Sequence, residues 1–157
     1  AAIQSPADVA IAQASAAVPR YLAMLDMLYS DSKITINDIY GVAVAPESTT
    51  EALAIARFRS AGDRQTGQLK LVNISSPTAD LSPGGATSKP KYPAVTLTAC
   101  VDVAGTAAAG GDGKSVAQPG RPPYLIEHLT LVNISYPSST AWRVSNAPNK
   151  QATSCGG

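Results

Sequence analysis

The amino-acid sequence predicts an α+β fold, with N-terminal helices packed on a curved, four-stranded antiparallel sheet. Apolar residues recur at helical spacing as far as Gly62, whereas beyond it they alternate with polar residues and the β-branched and Thr content rises. Helices followed by a run of strands are the order in which helices cover one face of a sheet. A length of 157 residues suits one core, so we expect a single domain over residues 1–157.

The first helix is predicted over residues 6–30. Ser5 can cap its first turn, Pro6 suits the first helical position, and Asp8 lies where a carboxylate meets free backbone amides. Apolar residues then recur at roughly helical spacing to the end of this range. Pro19 has no backbone N–H donor, so we expect the helix to bend or to divide in two at that residue.

A second helix is predicted over residues 46–60, after a single helical turn that begins near Asn37. Pro46 suits the start of this helix, and Leu53 and Ile55 belong to its apolar face. Beyond its end the sequence changes from a helical to a strand-like pattern. The helix is therefore expected to end close to Gly62.

The second half of the chain is predicted to form the sheet. Its strands are expected at residues 65–76, 94–104, 123–136 and 140–147. Each is rich in β-branched residues and Thr and alternates between apolar and polar positions. A Pro/Gly/Ser stretch from Pro77 to Pro93, a Gly-rich turn and a short hairpin around Pro137 would join them.

Composition excludes several classes of function. Twelve Lys and Arg against eleven Asp and Glu give a net charge of +1, far from the basic excess with which nucleic-acid-binding proteins neutralise phosphates. Hydrophobic residues make up 45% and charged residues 15%, so the chain is neither charged enough to be disordered nor continuously apolar enough to span a bilayer. We expect a folded protein without a nucleic-acid partner.

The two cysteines leave two interpretations open. Cys100 lies in an apolar run and Cys155 near the end of the chain, without the close Cys/His spacing of a zinc site. They are either unrelated thiols or a disulfide, and we favour the disulfide because an exposed terminal thiol is a liability. Closing so long a loop would remove roughly 4 kcal/mol of unfolded-chain entropy. A disulfide would also indicate an oxidising compartment.

Several short motifs are spread over most of the chain. They are Tyr21-Leu22, Asp26, Ala52 to Arg59, Gly62-Asp63-Arg64-Gln65-Thr66-Gly67, Thr98-Ala99-Cys100-Val101-Asp102-Val103, Asp112-Gly113-Lys114-Ser115-Val116, Trp142-Arg143-Val144-Ser145 and Cys155. Together these motifs resemble a group of small secreted or lipid-anchored proteins of actinobacteria and their phages. The order of helices and strands, with Trp142 in the last strand, resembles the nuclear-transport-factor-like (cystatin-like) cone fold.

The resemblance carries expectations about compartment and processing. It implies that Cys100 pairs with Cys155, and that a signal peptide and a lipid-bearing cysteine precede this segment. The sequence begins at Ala1 without a methionine, which is typical of a mature or truncated protein from which a targeting segment has been removed. We therefore expect an extracytoplasmic location, secreted or anchored, with membrane contact only through a lipid anchor outside this sequence.

Three arginines form one candidate site. Arg57, Arg59 and Arg64 cluster where the second helix meets the first strand. Cations are favoured near a helix C-terminus, so this cluster is commonly just a solvated helix end. As a functional site, it would bind an anionic envelope component or a partner protein.

Four residues form a second candidate site. Cone folds of this kind include isomerases and dehydratases that hold an Asp, a Tyr or a His inside the cone, where desolvation can raise the pKa of a carboxylate. The candidates here are Asp26, Tyr40, Asp102 and His128. Strand alternation groups His128 with Ile126 and Thr130, and it places Glu127 on the opposite face of the sheet. A structural role is the alternative for each of the four residues, and in that case Asp26 and Asp102 would face solvent.

The favoured function is a non-catalytic, envelope-associated binding domain of the lipoprotein type. His128 is the only histidine and no nucleophile elbow occurs, so a hydrolase triad has little to build on. We expect no cofactor and no metal, and an envelope or phage protein as partner. A phage-encoded protein of this type could act in superinfection exclusion. The alternatives are a small-ligand-binding or isomerase-like enzyme that uses the cone cavity, and a domain that assembles into homodimers.

Overall fold

The computed structural model describes residues 3–82, 91–116 and 119–156. The central part of the predicted loop between Pro77 and Pro93 lies outside these ranges. In chain order the structure contains α1 (Pro6–Ser30), a 3-10 helix (Ile36–Gly41), α2 (Glu47–Ser60), β1 (Arg64–Thr66), β2 (Lys70–Asp80), β3 (Ala94–Asp102), β4 (Ala107–Ala109), β5 (Tyr124–Asn133), β6 (Trp142–Asn146) and β7 (Asn149–Ala152).

The main sheet is antiparallel and has five strands. Its order is β2-β3-β5-β6, and β7 pairs with β5 next to β6. β6 pairs with the second half of β5 and β7 with its first half, so the two short strands share one edge of β5. β1 and β4 form a separate two-stranded sheet. The predicted α+β fold, with helices on an antiparallel sheet, is confirmed, and β7 adds a strand to the four expected.

α1 begins as the sequence predicts. The Ser5 hydroxyl accepts a hydrogen bond from the Asp8 backbone amide at 3.1 Å, and the two residues form a capping box. Of the bend or division expected at Pro19, the division is absent, because α1 is continuous through this residue. Val18 and Tyr21 on either side are almost fully buried, so packing against the core stabilises the helix on both sides of Pro19.

The strand predicted over residues 65–76 is two strands. Gly67 separates β1 from β2; its φ is +75°, and a Cβ at that position would collide with the Gly105 carbonyl. β2 then continues to Asp80, beyond its predicted end. β2 can include Pro77 because β2 lies at the edge of the sheet. A residue of an edge strand has a neighbouring strand on one side only, so the missing N–H of proline need not remove a hydrogen bond of the sheet.

The core lies between the helices and the inward face of the sheet. Alternate residues of β3 and β5 point toward the helices, as the strand pattern predicts. The 3-10 helix closes one end of the core through Ile39. The largest fully buried side chains of the core include Val18, Tyr21, Leu28, Ile39, Ile55, Val95, Val101, Leu129, Leu131, Trp142 and Val144.

The outward face of the sheet carries a second, smaller cluster. Cys100 of β3 and Cys155, beyond β7, form a disulfide, with Cα atoms 5.6 Å apart. Around the disulfide pack Ile126 and Tyr124 of β5 and Ala152 of β7. The pairing implied by the resemblance is therefore present, and it holds the C-terminal segment against this face.

Candidate functional site

An open groove, the α1 groove, runs between one flank of α1 and the turn from β1 to β2. It encloses about 690 Å³. The helix contributes Ala23, Asp26 and Met27, and the opposite wall is formed by Leu69 and Leu71. Met27 is 45% exposed, although it is a large apolar side chain. The groove therefore offers apolar walls and one carboxylate to solvent.

Asp26 fastens α1 to the β1–β2 turn. Its Oδ1 accepts hydrogen bonds from the side-chain amide of Gln65 at 2.7 Å and from the backbone amide of Leu69 at 3.1 Å. In the described parts of the chain, one ion pair has its charged atoms within 4.0 Å of each other, and it joins Lys91 to Asp80. No Lys, Arg or His of these parts therefore lies within 4.0 Å of the Asp26 carboxylate. Its negative charge is hydrogen-bonded but not neutralised.

The structure divides the predicted arginine cluster. The Arg59 guanidinium donates to the backbone carbonyls of Leu28 (2.8 Å), Asp31 (3.0 Å) and Ile34 (2.8 Å). It thereby satisfies carbonyls at the C-terminal end of α1 and just beyond, which lack partners within the helix. Arg59 is thus a structural residue, which corrects its assignment to a partner-binding cluster. Arg57 and Arg64 are exposed.

Replacing Arg59 with methionine is expected to lower the free energy of unfolding by about 2 kcal/mol, because the partly buried carbonyls of Leu28 and Ile34 lose their donors. Urea denaturation followed by circular dichroism measures this change. Arg57→Met, on the exposed side of the same helix, is the matched control and should change stability by less than about 0.5 kcal/mol. Equal effects of the two substitutions would show that Arg59 has no special role.

The four residues predicted to share a cavity do not meet. Asp26 lies in the α1 groove, and Tyr40 is 55% exposed on the 3-10 helix. Asp102 ends β3, where its Oδ1 accepts from the Ala104 amide at 2.8 Å. His128 is exposed on the outward face of the sheet, with its Nδ1 3.2 Å from the Thr98 hydroxyl. This grouping is corrected: Asp26 and Tyr40 belong to helices, whereas Asp102 and His128 belong to the sheet and lie at different positions along it.

The core instead contains a cluster of carboxylates that the sequence prediction did not include. Glu127 of β5 points toward the helices and is 7% exposed. α2 contributes Glu47, also 7% exposed, and Glu51 one turn later. From α1, the Tyr21 hydroxyl donates to Glu47 Oε1 at 2.8 Å and the Tyr29 hydroxyl donates to Glu51 Oε2 at 2.9 Å.

Burial and mutual repulsion set the protonation of this acid cluster. Burial, followed by repulsion from Glu51 and Glu47, raises the pKa of Glu127 to about 7. Burial also raises the pKa of Glu51, while the hydrogen bond from Tyr29 opposes that rise. The pKa values of Tyr21 and Tyr29 are raised by burial and by the neighbouring carboxylates. Both phenols are therefore neutral donors.

The strand pattern held a signal for this cluster. Alternation already places Glu127 on the same face as Leu125 and Leu129, which is the face that packs against the helices. Glu47 and Glu51 are four residues apart and so share one face of α2. Among the residues described here, no group of three His, Cys, Asp or Glu side chains has the geometry to hold a metal ion.

Comparison with known proteins identifies the fold and no family. No family model matches the chain, and no curated protein matches its sequence. Among solved structures, it is similar to the crystal structure of the intermembrane space region of the chloroplast protein ARC6, with a TM-score of 0.54 and 9% sequence identity. The match covers 88% of this chain and 95% of that chain. At this identity the likeness concerns the fold alone.

One observation bears on location. The structure contains a disulfide, which is compatible with an extracytoplasmic location. None of the helices within the described ranges combines the length and apolar character needed to cross a bilayer.

Proposed function

We propose that this chain is a non-catalytic, extracytoplasmic binding domain of the cell envelope, which receives a segment of a partner protein in the α1 groove. The observation that carries the proposal is the groove itself. It is open, has a volume of about 690 Å³ and exposes large apolar side chains next to a carboxylate that no described cation neutralises. An open groove of this size fits a few side chains of a peptide.

The chemistry of the groove selects the partner. Met27, Leu69 and Leu71 provide apolar contacts, and apolar surface buried there would supply most of the binding energy. Asp26 is only partly exposed, so a cationic side chain next to it would be less screened than on an open surface. The proposed partner segment therefore carries an apolar residue beside a Lys or Arg.

Compartment and origin form the finer part of the proposal. The Cys100–Cys155 bridge supports a location where disulfides persist. The resemblance to lipid-anchored proteins of actinobacteria and their phages supports attachment to the outer side of the cell membrane. A phage-encoded protein in that position would act in superinfection exclusion by binding an envelope or phage protein.

A random peptide library panned against the purified domain tests this proposal. We expect enrichment of peptides with an apolar residue beside Lys or Arg. Met27→Glu should weaken the binding of the selected peptides at least tenfold, measured by fluorescence anisotropy, because it places a charge in the groove. Leu53→Glu on α2 is the matched control, since Leu53 is 54% exposed and lies outside the groove. Peptides that bind both variants equally would contradict the proposal.

Glu127 favours a second candidate function, an enzyme with an acid–base residue inside the fold. A carboxyl group whose pKa is about 7 can both give and accept a proton at neutral pH. The substrate would have to reach the Glu127 carboxylate, which is buried beneath the helices. Turnover of an enolisable ketone that Glu127→Gln abolishes would support this alternative over the binding function.

Self-association through the β2 edge of the sheet is disfavoured. β2 forms that edge, and two register shifts and Pro77 interrupt its ladder with β3. Such interruptions protect edge strands against pairing with another chain. A homodimer would therefore have to use another face, and light scattering at high protein concentration distinguishes a monomer from a dimer.

A further inference from the structure

We propose that Glu127, packed against Glu47 and Glu51, is a proton-operated switch, which holds the two helices on the sheet when Glu127 is protonated and loosens them when Glu127 is ionised. This inference concerns regulation and goes beyond the proposed binding function. The chain contains three glutamates in all, and the fold brings every one of them to this place.

Glu127 has no partner for its charge among the residues that the structure describes. Its neighbours across the ladder are Ala99 of β3 and Asn149 of β7. Its Oε2 is buried and makes no hydrogen bond with any of the residues that the structure describes. An ionised carboxylate in such a position loses the hydration of that oxygen without compensation, whereas the protonated acid loses much less.

The groups that face Glu127 add negative charge. α2 contributes the carboxylates of Glu47 and Glu51, and α1 contributes the hydroxyl of Tyr21. That hydroxyl already donates its proton to Glu47, so it does not donate to Glu127. No Lys, Arg or His of the described ranges lies within 4.0 Å of the three carboxylates. The fold therefore favours the protonated form of Glu127.

The direction of the switch follows from this arrangement. The pKa of Glu127 rises from its ordinary 4.5 to about 7 on folding. Protonation therefore stabilises the folded state fully below about pH 4.5, and this contribution is lost as the pH rises through 7. The shift corresponds to about a 300-fold fall in the folding equilibrium constant between these limits.

The α1 groove is coupled to the cluster through α1. Tyr21 and Tyr29 bind the acids of α2, and Asp26 and Met27 between them line the groove. Repulsion within the cluster pushes α2 and the sheet apart, and the tyrosine bonds transmit that loosening to α1. Local opening of the helices is then expected at a lower free energy than unfolding of the sheet.

Carbon-13 NMR of protein labelled at the glutamate δ-carbon tests the switch. The spectrum contains three signals, one each from Glu47, Glu51 and Glu127, so every signal reports on the cluster without further assignment. We expect at least one signal to titrate near pH 7, and Glu127→Gln should remove that transition. Three signals that titrate between pH 4 and 5 would overturn the proposal. This measurement on the wild-type protein stands even if the variant fails to fold.

Hydrogen exchange distinguishes a switch from a uniform loss of stability. After correction for the intrinsic rate, protection of α1 and α2 amides should fall between pH 6 and 8 relative to β3 amides. The fall should be absent in Glu127→Gln and unchanged in Asp38→Asn, which removes an exposed carboxylate. Equal loss of protection in helices and sheet would show that the cluster affects stability only, and would contradict the switch.

Discussion

Removal of the disulfide is expected to lower the free energy of unfolding by about 4 kcal/mol. The bridge joins residues 55 positions apart, so it restricts a large part of the unfolded chain. Small domains have a total stability of about 5–15 kcal/mol, and a loss of this size leaves some of them largely unfolded at elevated temperature. The bridge is therefore expected to contribute a large share of the stability of the folded protein.

The position of the disulfide predicts which part of the structure its removal affects first. β7 has the sequence Asn149-Lys150-Gln151-Ala152, and three of its four residues are exposed. Its position rests on the ladder with β5 and on Cys155 just beyond it. Without the bridge, β7 is expected to detach first and to uncover Cys100 and Ile126, which are buried in the oxidised protein.

Urea denaturation of the oxidised and the dithiothreitol-reduced wild-type protein measures this effect. Cys155→Ala is the clean variant, because Cys155 is only partly buried and its replacement leaves no cavity in the core. Cys100→Ala should lose somewhat more, since Cys100 is 2% exposed and packs against Ile126. A reduced protein with an unchanged unfolding midpoint would show that the bridge is dispensable.

Local signals explain which elements the sequence could predict. The start of α1 follows from Ser5, Pro6 and Asp8, whose effects act within one turn of helix. The bounds of α2 agree with its prediction to one residue at its start, because Pro46 and Gly62 flank it in the sequence. Such features require no knowledge of distant residues.

The strands that were missed depend on distant residues. β4 is Ala107-Ala108-Ala109, and alanine favours helices over strands. It is a strand because it pairs with β1, more than forty positions earlier in the chain. β7 lacks an apolar alternation and is defined by its pairing with β5. Local propensity therefore had no means of identifying either of them.

The candidate functional residues also divide into features that local patterns predict and features that depend on distant residues. Alternation along β5 places Glu127 on the core face, but only the packing of α2 brings Glu47 and Glu51 opposite to it. Arg59 looked like part of an exposed cluster because sequence position gives charge but no partner. Its partners are carbonyls about thirty residues earlier in the chain, at the end of α1.

Trp142→Ala is expected to destabilise the protein by about 4 kcal/mol, as large-to-small replacements of buried aromatic residues do. Trp142 is 1% exposed, so it belongs to the core and not to a recognition surface. It lies at the start of β6, opposite Asn133 of β5, and its indole Nε1 donates to Gln13 Oε1 of α1 at 3.0 Å. The side chain thus joins the helical layer to the edge of the sheet.

Two further variants separate packing from hydrogen bonding at this site. Trp142→Phe retains most of the apolar volume and removes the donor, and it should lose less stability than Trp142→Ala. Gln13→Leu removes only the acceptor, and it should destabilise by about 1 kcal/mol because the indole N–H is left without its partner. Urea denaturation followed by circular dichroism compares the three, since Trp142 is the only tryptophan and its fluorescence is lost. If Trp142→Ala unfolds at the wild-type midpoint, the contact between α1 and β6 contributes little, and α1 must be held on the sheet mainly by its contacts with β1 and β2.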